Sequence, residues 1–289
     1  MHDWLRSPPL SRPPRRPANW QPPGPAPRGA RGEAQLFPRE DEDLSLLSGD
    51  WAIFQLREGH RWSLDDLIAA DTACTHAPQR MHRALDLGCG IGSVLMMVAW
   101  SFPEAELLGV EAQARSVELL RRSLRFNGAE QRVRVVHADL REHARWWTGE
   151  RFDLVTGTPP YLPVGTGTRS RHSQCDSCRF ELRGGIEAYC EAAALALATD
   201  GRFVFCEGDT SVERVPASLE AAGLTLLQRQ AIHGRVGKPP LFHVFVAALA
   251  RQANTESTSP DAAPLFIRDQ SGARTPDYVA LRRRRGLPE

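Results

Sequence analysis

The stretch that decides the fold is ALDLGCGIGSVLMMVAW, residues 84–100. It opens with a short apolar run, passes through Gly88, Gly90 and Gly92, and continues with apolar residues at helical spacing. A strand, a glycine-rich turn and a helix in this order begin a nucleotide-binding βαβ unit, because glycine lets the backbone approach a ligand closely. The stretch therefore predicts an α/β fold with a mostly parallel sheet. Taken alone, the glycine spacing is also compatible with a plain tight turn.

Acidic residues accompany three successive predicted strands. Asp86 lies at the end of the first strand, Glu111 ends the next, and Asp139 follows the third. A carboxylate roughly 20 residues beyond the glycine turn is placed to receive ribose hydroxyls, and Asp139 would be in reach of an adenine amine. A cofactor with ribose, adenine and an amine but no phosphate suits this pattern, which resembles class I S-adenosylmethionine-dependent methyltransferases. The alternative is that the three carboxylates are ordinary charges at strand ends.

A second motif, Thr158-Pro159-Pro160-Tyr161, follows the predicted strand FDLVTG at residues 152–157. The two prolines fix φ and remove two N–H donors, so the chain forms a stiff corner that offers carbonyls and side chains. Tyr161 presents a flat ring beside that corner. The motif suits the binding of a planar, amine-bearing group whose nitrogen is to be modified. The alternative is that Tyr161 is a core aromatic residue.

Length and composition limit the class of protein. The 289 residues suffice for one large α/β domain with tails, and the net charge of +1 does not by itself indicate a nucleic-acid partner. We find neither an apolar signal core nor an apolar run near the roughly 20 residues that span a membrane, so we expect a cytoplasmic protein without membrane attachment. The six cysteines are typical of a reduced protein. Cys175 and Cys178, with His172 nearby, lack a second ligand pair, so we predict no metal site.

The chain divides into four predicted segments. Residues 1–43 form a disordered arm rich in proline and arginine, and residues 44–80 form a lead-in segment that contains a helix beginning at Ser63. Residues 81–251 form the core, a Rossmann-like seven-stranded class I methyltransferase sheet with an antiparallel last strand. Residues 252–289 form a linker and a basic tail.

Two arginine-containing segments leave alternatives open. The long loop at residues 162–185 is predicted to be functional or disordered, and in it Arg179 and Glu181 form either a simple ion pair or part of the site. The arginine run at residues 282–285 would suit phosphate contacts or a solvated chain end.

Several segments together resemble one known family. FQLREGHRWSLDDLIAA (residues 54–70), LDLGCGIG, VEAQ, TGTPPYLPVG and the closing strand and tail are similar to the bacterial tRNA(valine) adenine-N6-methyltransferase family. The resemblance extends over residues 50–285. One departure is that the family has Asn-Pro-Pro-Tyr where this chain has Thr158, whose single hydroxyl replaces an amide. This departure leaves the cofactor prediction unaffected and bears on the identity of the substrate.

The resemblance implies S-adenosyl-L-methionine as cofactor and RNA, specifically tRNA, as substrate. It implies that Asp86, Gly88, Gly90 and Gly92 shape the methionine side of the cofactor pocket, that Glu111 holds the ribose and that Asp139 binds the adenine amine. In the corner, the Thr158 hydroxyl would stand where the family has an amide. Pro159 and Pro160 would shape the target pocket, and the Pro159 carbonyl would accept a hydrogen bond from the target amine. Tyr161 would stack on the target base.

The predicted activity is therefore methyl transfer to an exocyclic amine, with adenine N6 in tRNA as the first candidate. Three alternatives remain at this point: a methyltransferase for a protein glutamine amide, one for a small molecule, and a cofactor-binding partner subunit without catalysis. The sequence leaves the oligomeric state open.

Overall fold

A computed structural model describes residues 19–163, 165, 176, 178–250 and 260–289. The strands, numbered in chain order, are β1 Glu42–Ser48, β2 Trp51–Leu56, β3 Arg83–Leu87, β4 Glu106–Glu111, β5 Val133–His137, β6 Phe152–Gly157, β7 Leu197–Gly208, β8 Leu224–His233, β9 Pro240–Leu249 and β10 Leu265–Phe266. The helices are α1 Leu64–His76, α2 Ser93–Ser101, α3 Ala114–Asn127, α4 Ile186–Ala196, α5 Val215–Ala221 and α6 Pro276–Arg284.

The central sheet has the strand order β10-β8-β9-β7-β6-β3-β4-β5. Strand β9 runs antiparallel to both of its neighbours, β7 and β8, whereas the pairs among β3 to β7 are parallel. The predicted α/β class and Rossmann-like methyltransferase sheet with an antiparallel last strand are thus confirmed. The sheet differs from the prediction by an eighth strand, the two-residue β10, which adds parallel to the edge of β8.

Helices cover both faces of this sheet. One apolar cluster contains buried residues of α1, α2 and α3, and a second contains those of α4 and α5. Strand β7 shows the alternation that a two-sided sheet requires, because Val204 and Cys206 belong to the first cluster while Phe203 and Phe205 belong to the second. No helix within the described ranges is both long and apolar enough to cross a membrane.

The N-terminal region corrects the predicted disorder over part of its length. Within residues 19–43, Ala34–Leu36 form a 3-10 turn and β1 already begins, and the side chains of Ala30 and Leu36 are fully buried. Arg122 of α3 donates from Nη1 to both carboxylate oxygens of Glu42 at 2.8 Å, which fixes the β1–β2 hairpin on the core. The sequence signal was misleading because proline and arginine disfavour regular elements without preventing burial. Residues 1–18 lie outside the described part of the chain.

The C-terminal tail is also folded onto the core. Helix α6 begins after Thr275, whose side chain accepts from the N–H of Tyr278, and its end brings arginines to α1. Arg284 donates from Nη2 to Asp71 at 2.6 Å, and the buried Arg285 lies 3.1 Å from the same carboxylate. These two arginines of the 282–285 run are therefore internal ion-pair partners, which corrects the expectation of a wholly solvated or phosphate-binding end.

Candidate active site

A cavity of about 380 Å³ lies at the carboxyl ends of the parallel strands. Both sequence motifs line it: Gly88 and Gly90 from the loop after β3, and residues 158–161 from the corner after β6. Glu111 and Asp139, from the ends of neighbouring strands, complete its wall. Open α/β sheets bind ligands at this edge, in the crevice where strand order reverses. The structure therefore brings most of the predicted residues to one site.

Two predicted cofactor residues lie beneath the cavity wall instead. Asp86 is buried, accepts from the N–H of Leu95 at 3.1 Å and from the hydroxyl of Thr156 at 2.8 Å, and so joins β3, β6 and α2. Burial raises the pKa of Asp86 to about 7, opposed by these two hydrogen bonds. Gly92 lies so close to Leu120 that a Cβ added at Gly92 would be 2.2 Å from the Cδ1 atom of Leu120. Both residues shape the loop from below.

Gly90 provides the test of whether an extended cofactor fits. Its φ is +54°, and a Cβ built on it would meet no heavy atom within 4 Å, so the loop leaves an open cradle where most residues would place a side chain. The backbone N–H of Gly90 donates to Glu111 Oε2 at 2.9 Å, and Gln113 N–H donates to Glu111 Oε1 at 2.6 Å. The cradle and a positioned carboxylate beside it match the ribose and methionine portions of S-adenosylmethionine.

Glu111 is almost fully buried, at 6% exposure. Burial raises its pKa, while the backbone N–H groups of Gln113 and Gly90 favour the charged form. A carboxylate accepts about four hydrogen bonds, so two acceptor positions of Glu111 remain for hydroxyl donors. This arrangement fits the expectation that Glu111 holds the ribose.

Asp139 is held by its neighbour Arg141. Its carboxylate accepts from the Arg141 backbone N–H at 3.0 Å and from Nε and Nη2 of the same guanidinium at 2.9 and 2.7 Å. These hydrogen bonds lower the pKa of Asp139, so it is a charged acceptor at neutral pH. Its predicted contact with an adenine amine would use the remaining acceptor capacity or displace Arg141.

The corner after β6 lines the cavity and carries two polar groups that are not used within the described part of the chain. The hydroxyl of Thr158 and the carbonyl of Pro159 have no hydrogen-bond partner among the described residues. Pro159 and Pro160 are buried and cannot donate, so they hold the corner without consuming acceptors. The corner therefore presents a hydroxyl and a carbonyl that are available to an amine.

Tyr161 is half-buried and fixed at both ends. Its hydroxyl donates to Asp65 Oδ2 at 3.3 Å, and its ring packs against Gly208, where an added Cβ would lie 3.0 Å from the Tyr161 Cβ. Burial raises the pKa of the phenol well above its ordinary value, so it stays protonated. Tyr161 packs against the first apolar cluster and also lines the cavity. It is therefore partly a core aromatic residue and partly a cavity residue, the two alternatives that the sequence had left open.

The start of helix α1 and the segment before it contribute cavity residues that sequence reasoning did not assign to the site. His60, Asp65 and Asp66 line the wall that faces the glycine loop. Asp66 accepts from the N–H of Ser63 at 2.9 Å, as the predicted capping box requires, and burial raises its pKa. The carboxylates at the start of this helix were detectable in the sequence only as helix caps.

The long loop and the following helix contribute Arg179, which the sequence had left open as a site residue, and two residues that were not predicted, Arg183 and Tyr189. Arg179 and Arg183 are exposed at the cavity, and Tyr189 of α4 lines it from below. The suggested ion pair between Arg179 and Glu181 does not form, because Glu181 accepts from Arg214 at 2.6 Å. The length of the loop and the pair Arg179 and Glu181 were the sequence signals for a role of this region.

Cysteine chemistry and metal binding receive no support from the described residues. Cys206 lies fully buried in β7, and burial raises the pKa of its thiol well above the ordinary value, so it is not a thiolate nucleophile. Within the described ranges no group of His, Cys, Asp and Glu side chains is arranged to hold a metal ion. Cys175 and His172 of the considered zinc site lie outside the described residues.

Comparison with known proteins agrees with this geometry. Residues 69–170 match the family model described as "Methyltransferase small domain". A solved structure from Agrobacterium tumefaciens, described as a predicted O-methyltransferase, superposes with a TM-score of 0.59 at 22% identity, covering 78% of this chain and 98% of that one. This likeness shows the fold.

Two curated relatives differ in substrate. The release factor glutamine methyltransferase of Caulobacter vibrioides is 31% identical over 169 residues, which is 55% of this chain and 56% of the relative. The tRNA1(Val) (adenine(37)-N6)-methyltransferase of Yersinia pestis is 24% identical over 217 residues, which is 74% of this chain and 82% of the relative. The chain thus spans little more than half the length of the first relative.

The fold and the family match agree over the core of the chain. The chain has the fold of class I methyltransferases, and the methyltransferase small domain matched over residues 69–170 contains the glycine loop that would hold S-adenosyl-L-methionine.

Proposed function

We propose that the protein is an S-adenosylmethionine-dependent methyltransferase that acts on an exocyclic amine of RNA, and specifically on adenine N6 in tRNA. The observation that carries the proposal is the placement of the rigid corner at residues 158–161 in the same cavity as the glycine loop and Glu111. An amine bound at the corner would lie beside a cofactor bound at the loop.

The extent of similarity favours RNA over protein as the substrate. The similarity to the tRNA relative covers 82% of that protein, whereas the similarity to the glutamine methyltransferase covers 56% of its length. The resemblance to the tRNA-modifying family includes the lead-in segment and the tail, both of which fold onto the core. We propose that the N-terminal region and the tail serve this same activity and that the protein acts in the cytoplasm.

Charge at the cavity is compatible with a polyanion. Arg179 and Arg183 are exposed at its wall, and the Arg179 guanidinium lies 5.9 Å from the centre of the Phe180 ring. Arginine binds phosphate through a planar set of donors. These residues would hold the backbone of an RNA whose target base enters the cavity, while base-modifying enzymes must take that base out of its stack.

The bound cofactor supplies an electrophilic methyl group on a sulfonium. The chain's own residues supply positioning and fixed dipoles, because the exocyclic nitrogen of adenine is a weak nucleophile. The Pro159 carbonyl and the Thr158 hydroxyl accept from the amine and orient its lone pair towards the methyl carbon. Tyr161, held by Asp65, stacks on the base. Methyl transfer from the bound cofactor would leave sulfur as a neutral thioether, and the methylated nitrogen would release one proton to solvent.

A protein glutamine amide is the second candidate. The observation that favours it is the 31% identity to the release factor glutamine methyltransferase. An amide nitrogen is planar and delocalised like an adenine amine, so the same corner would hold either group. The two candidates differ in what must reach the cavity, a flipped base or an extended peptide.

Methyl transfer to separated pools distinguishes the candidates. The protein is incubated with methyl-labelled S-adenosylmethionine and with tRNA, ribosomal RNA or total cell protein. We expect label in tRNA that digests to N6-methyladenosine. Label confined to protein would overturn the RNA proposal in favour of glutamine, and label in no pool despite cofactor binding would indicate a small-molecule substrate or a non-catalytic partner subunit.

A further inference from the structure

We infer that the hydroxyl of Tyr189 is a hydrogen-bond donor to the adenosyl half of the cofactor. Neither sequence motif includes this residue, which lies in the first turn of α4. The inference concerns cofactor binding, so it is independent of the substrate proposed above.

Two glycines make room for the Tyr189 ring. A Cβ built at Gly157 would lie 2.7 Å from its Cδ1, and a Cβ built at Gly88 would lie 2.2 Å from its hydroxyl oxygen. Real side chains do not tolerate such distances, so both positions are restricted to glycine as long as the tyrosine is there. The ring therefore lies across the ends of β6 and β3, with its hydroxyl against the glycine loop.

The Tyr189 side chain is buried, but its hydroxyl lacks a hydrogen-bond partner among the residues that the structure describes. Tyr189 is 5% exposed and lines the cavity, yet its hydroxyl makes no hydrogen bond to any described residue. Buried polar groups are normally paired, and a phenylalanine would fill the same space without that polar atom. The unpaired hydroxyl indicates that its partner is a ligand of the cavity.

The protonation state makes this group a donor. Burial raises the pKa of Tyr189 well above its ordinary value, and the negative charges of Glu111 and Asp86 add to this effect. Both oxygens of Glu111 accept from backbone N–H groups, of Gly90 and Gln113, and no acceptor among the described residues, Glu111 included, receives a hydrogen bond from the Tyr189 hydroxyl. The tyrosine proton is therefore left for an acceptor on the ligand.

The direction of the ring selects the adenosyl half. The Tyr189 ring has its Cδ1 at Gly157, at the end of β6, and its hydroxyl at Gly88, just after β3. The ring therefore points from β6 towards β3. The next strand in that direction is β4, which ends in Glu111. Asp66 and Ser93, by contrast, line the cavity from α1 and α2, which pack on the other face of the sheet. The hydroxyl thus approaches the side where Glu111 would hold the ribose, whose oxygens can accept.

The experiment compares two ligands and two variants. Dissociation constants for S-adenosylhomocysteine and for 5′-methylthioadenosine, which lacks the amino-acid portion, are measured by calorimetry for the wild type and Tyr189→Phe. We expect both ligands to lose about three- to tenfold in affinity, the range of one neutral hydrogen bond. Tyr278→Phe is the matched control, because Tyr278 is also buried but lies in α6, outside the cavity.

The outcomes that overturn the inference are specific. Unchanged affinity for both ligands would show that the hydroxyl makes no contact with the cofactor. A loss confined to S-adenosylhomocysteine would place the contact on the methionine half. Because Tyr189→Phe keeps the ring that fills the space over both glycines, its thermal midpoint should match that of the Tyr278→Phe control. A lower midpoint together with unchanged affinities would make the hydroxyl a purely structural group.

Discussion

The backbone N–H of Gly90 donates to Oε2 of Glu111 over 2.9 Å, which ties the glycine loop to the end of the neighbouring strand. One carboxylate therefore both fixes the loop and faces the cavity. The loop and the ribose-binding position are thus one unit, and a change at Glu111 affects both.

Glu111→Gln is expected to lower the affinity for S-adenosylhomocysteine by about tenfold or more, since hydrogen bonds to a charged group are worth about 1.5–3 kcal/mol. The amide would also turn an NH₂ group towards one of the two backbone N–H donors. Calorimetry measures the change. Glu106→Gln, at the exposed opposite end of the same strand, is the control and should bind as the wild type does. Equal affinities for Glu111→Gln and the control would contradict the assigned role.

Two glycines of the loop should respond differently to alanine. Gly90→Ala would place its methyl group in the open cradle and reduce cofactor affinity, whereas Gly92→Ala would drive a methyl group into Leu120 and reduce stability. Both positions have positive φ, at +54° and +88°, so each variant also bears a backbone strain of about 1–2 kcal/mol.

Calorimetry and thermal unfolding of both loop variants separate the two effects. We expect the larger fall in melting temperature for Gly92→Ala and the larger fall in S-adenosylhomocysteine affinity for Gly90→Ala. The reverse order would refute the assignment of Gly90 to the cofactor cradle.

The pH dependence of stability should contain a contribution from Glu207. This side chain is fully buried in β7, its Oε2 has no partner within the described ranges, and burial raises its pKa to about 7. The folded state then retains a proton that the unfolded state releases near pH 4.5. The stabilising effect of that proton is complete below the unfolded pKa and is lost as the pH rises towards 7.

Glu207→Gln removes this titration, so the variant should gain stability relative to the wild type between pH 5 and pH 8, by about 2 kcal/mol. Urea unfolding at the two pH values measures the difference. Glu220→Gln, on the exposed surface of α5, should show no such change relative to the wild type. A pH-independent difference for Glu207→Gln would contradict the proton linkage.

The sequence was sufficient for the parts of the fold that depend on local pattern. Strand, glycine turn and helix at residues 84–100 predicted the parallel core, and the expected antiparallel last strand is β9. The capping pattern at Ser63 and Asp66 gave the start of α1. These features depend on neighbours in the chain, which is why pattern reasoning found them.

Features that depend on distant residues were missed. Composition had suggested a disordered arm up to residue 43. Glu42, at the end of that arm, instead forms a buried ion pair with Arg122, 80 residues further along the chain, and this pair holds the β1–β2 hairpin on the core. Likewise, Tyr189 enters the site only because Gly88 and Gly157 leave space above two separate strands. Asp86 was identified as a site residue, but its side chain supports the loop from beneath rather than lining the cavity.

The most direct test of the central claim is nucleoside analysis of tRNA after reaction with the wild type and Thr158→Val. The valine keeps the volume and removes the hydroxyl that is proposed to orient the amine. We expect N6-methyladenosine from the wild type, a rate about three- to tenfold lower for Thr158→Val, and equal S-adenosylhomocysteine affinity for both. Thr158→Asn, which restores the amide of the resembled family, should retain or raise the rate. Transfer by Thr158→Val at the wild-type rate, or methylation of protein glutamine without any N6-methyladenosine, would contradict the account.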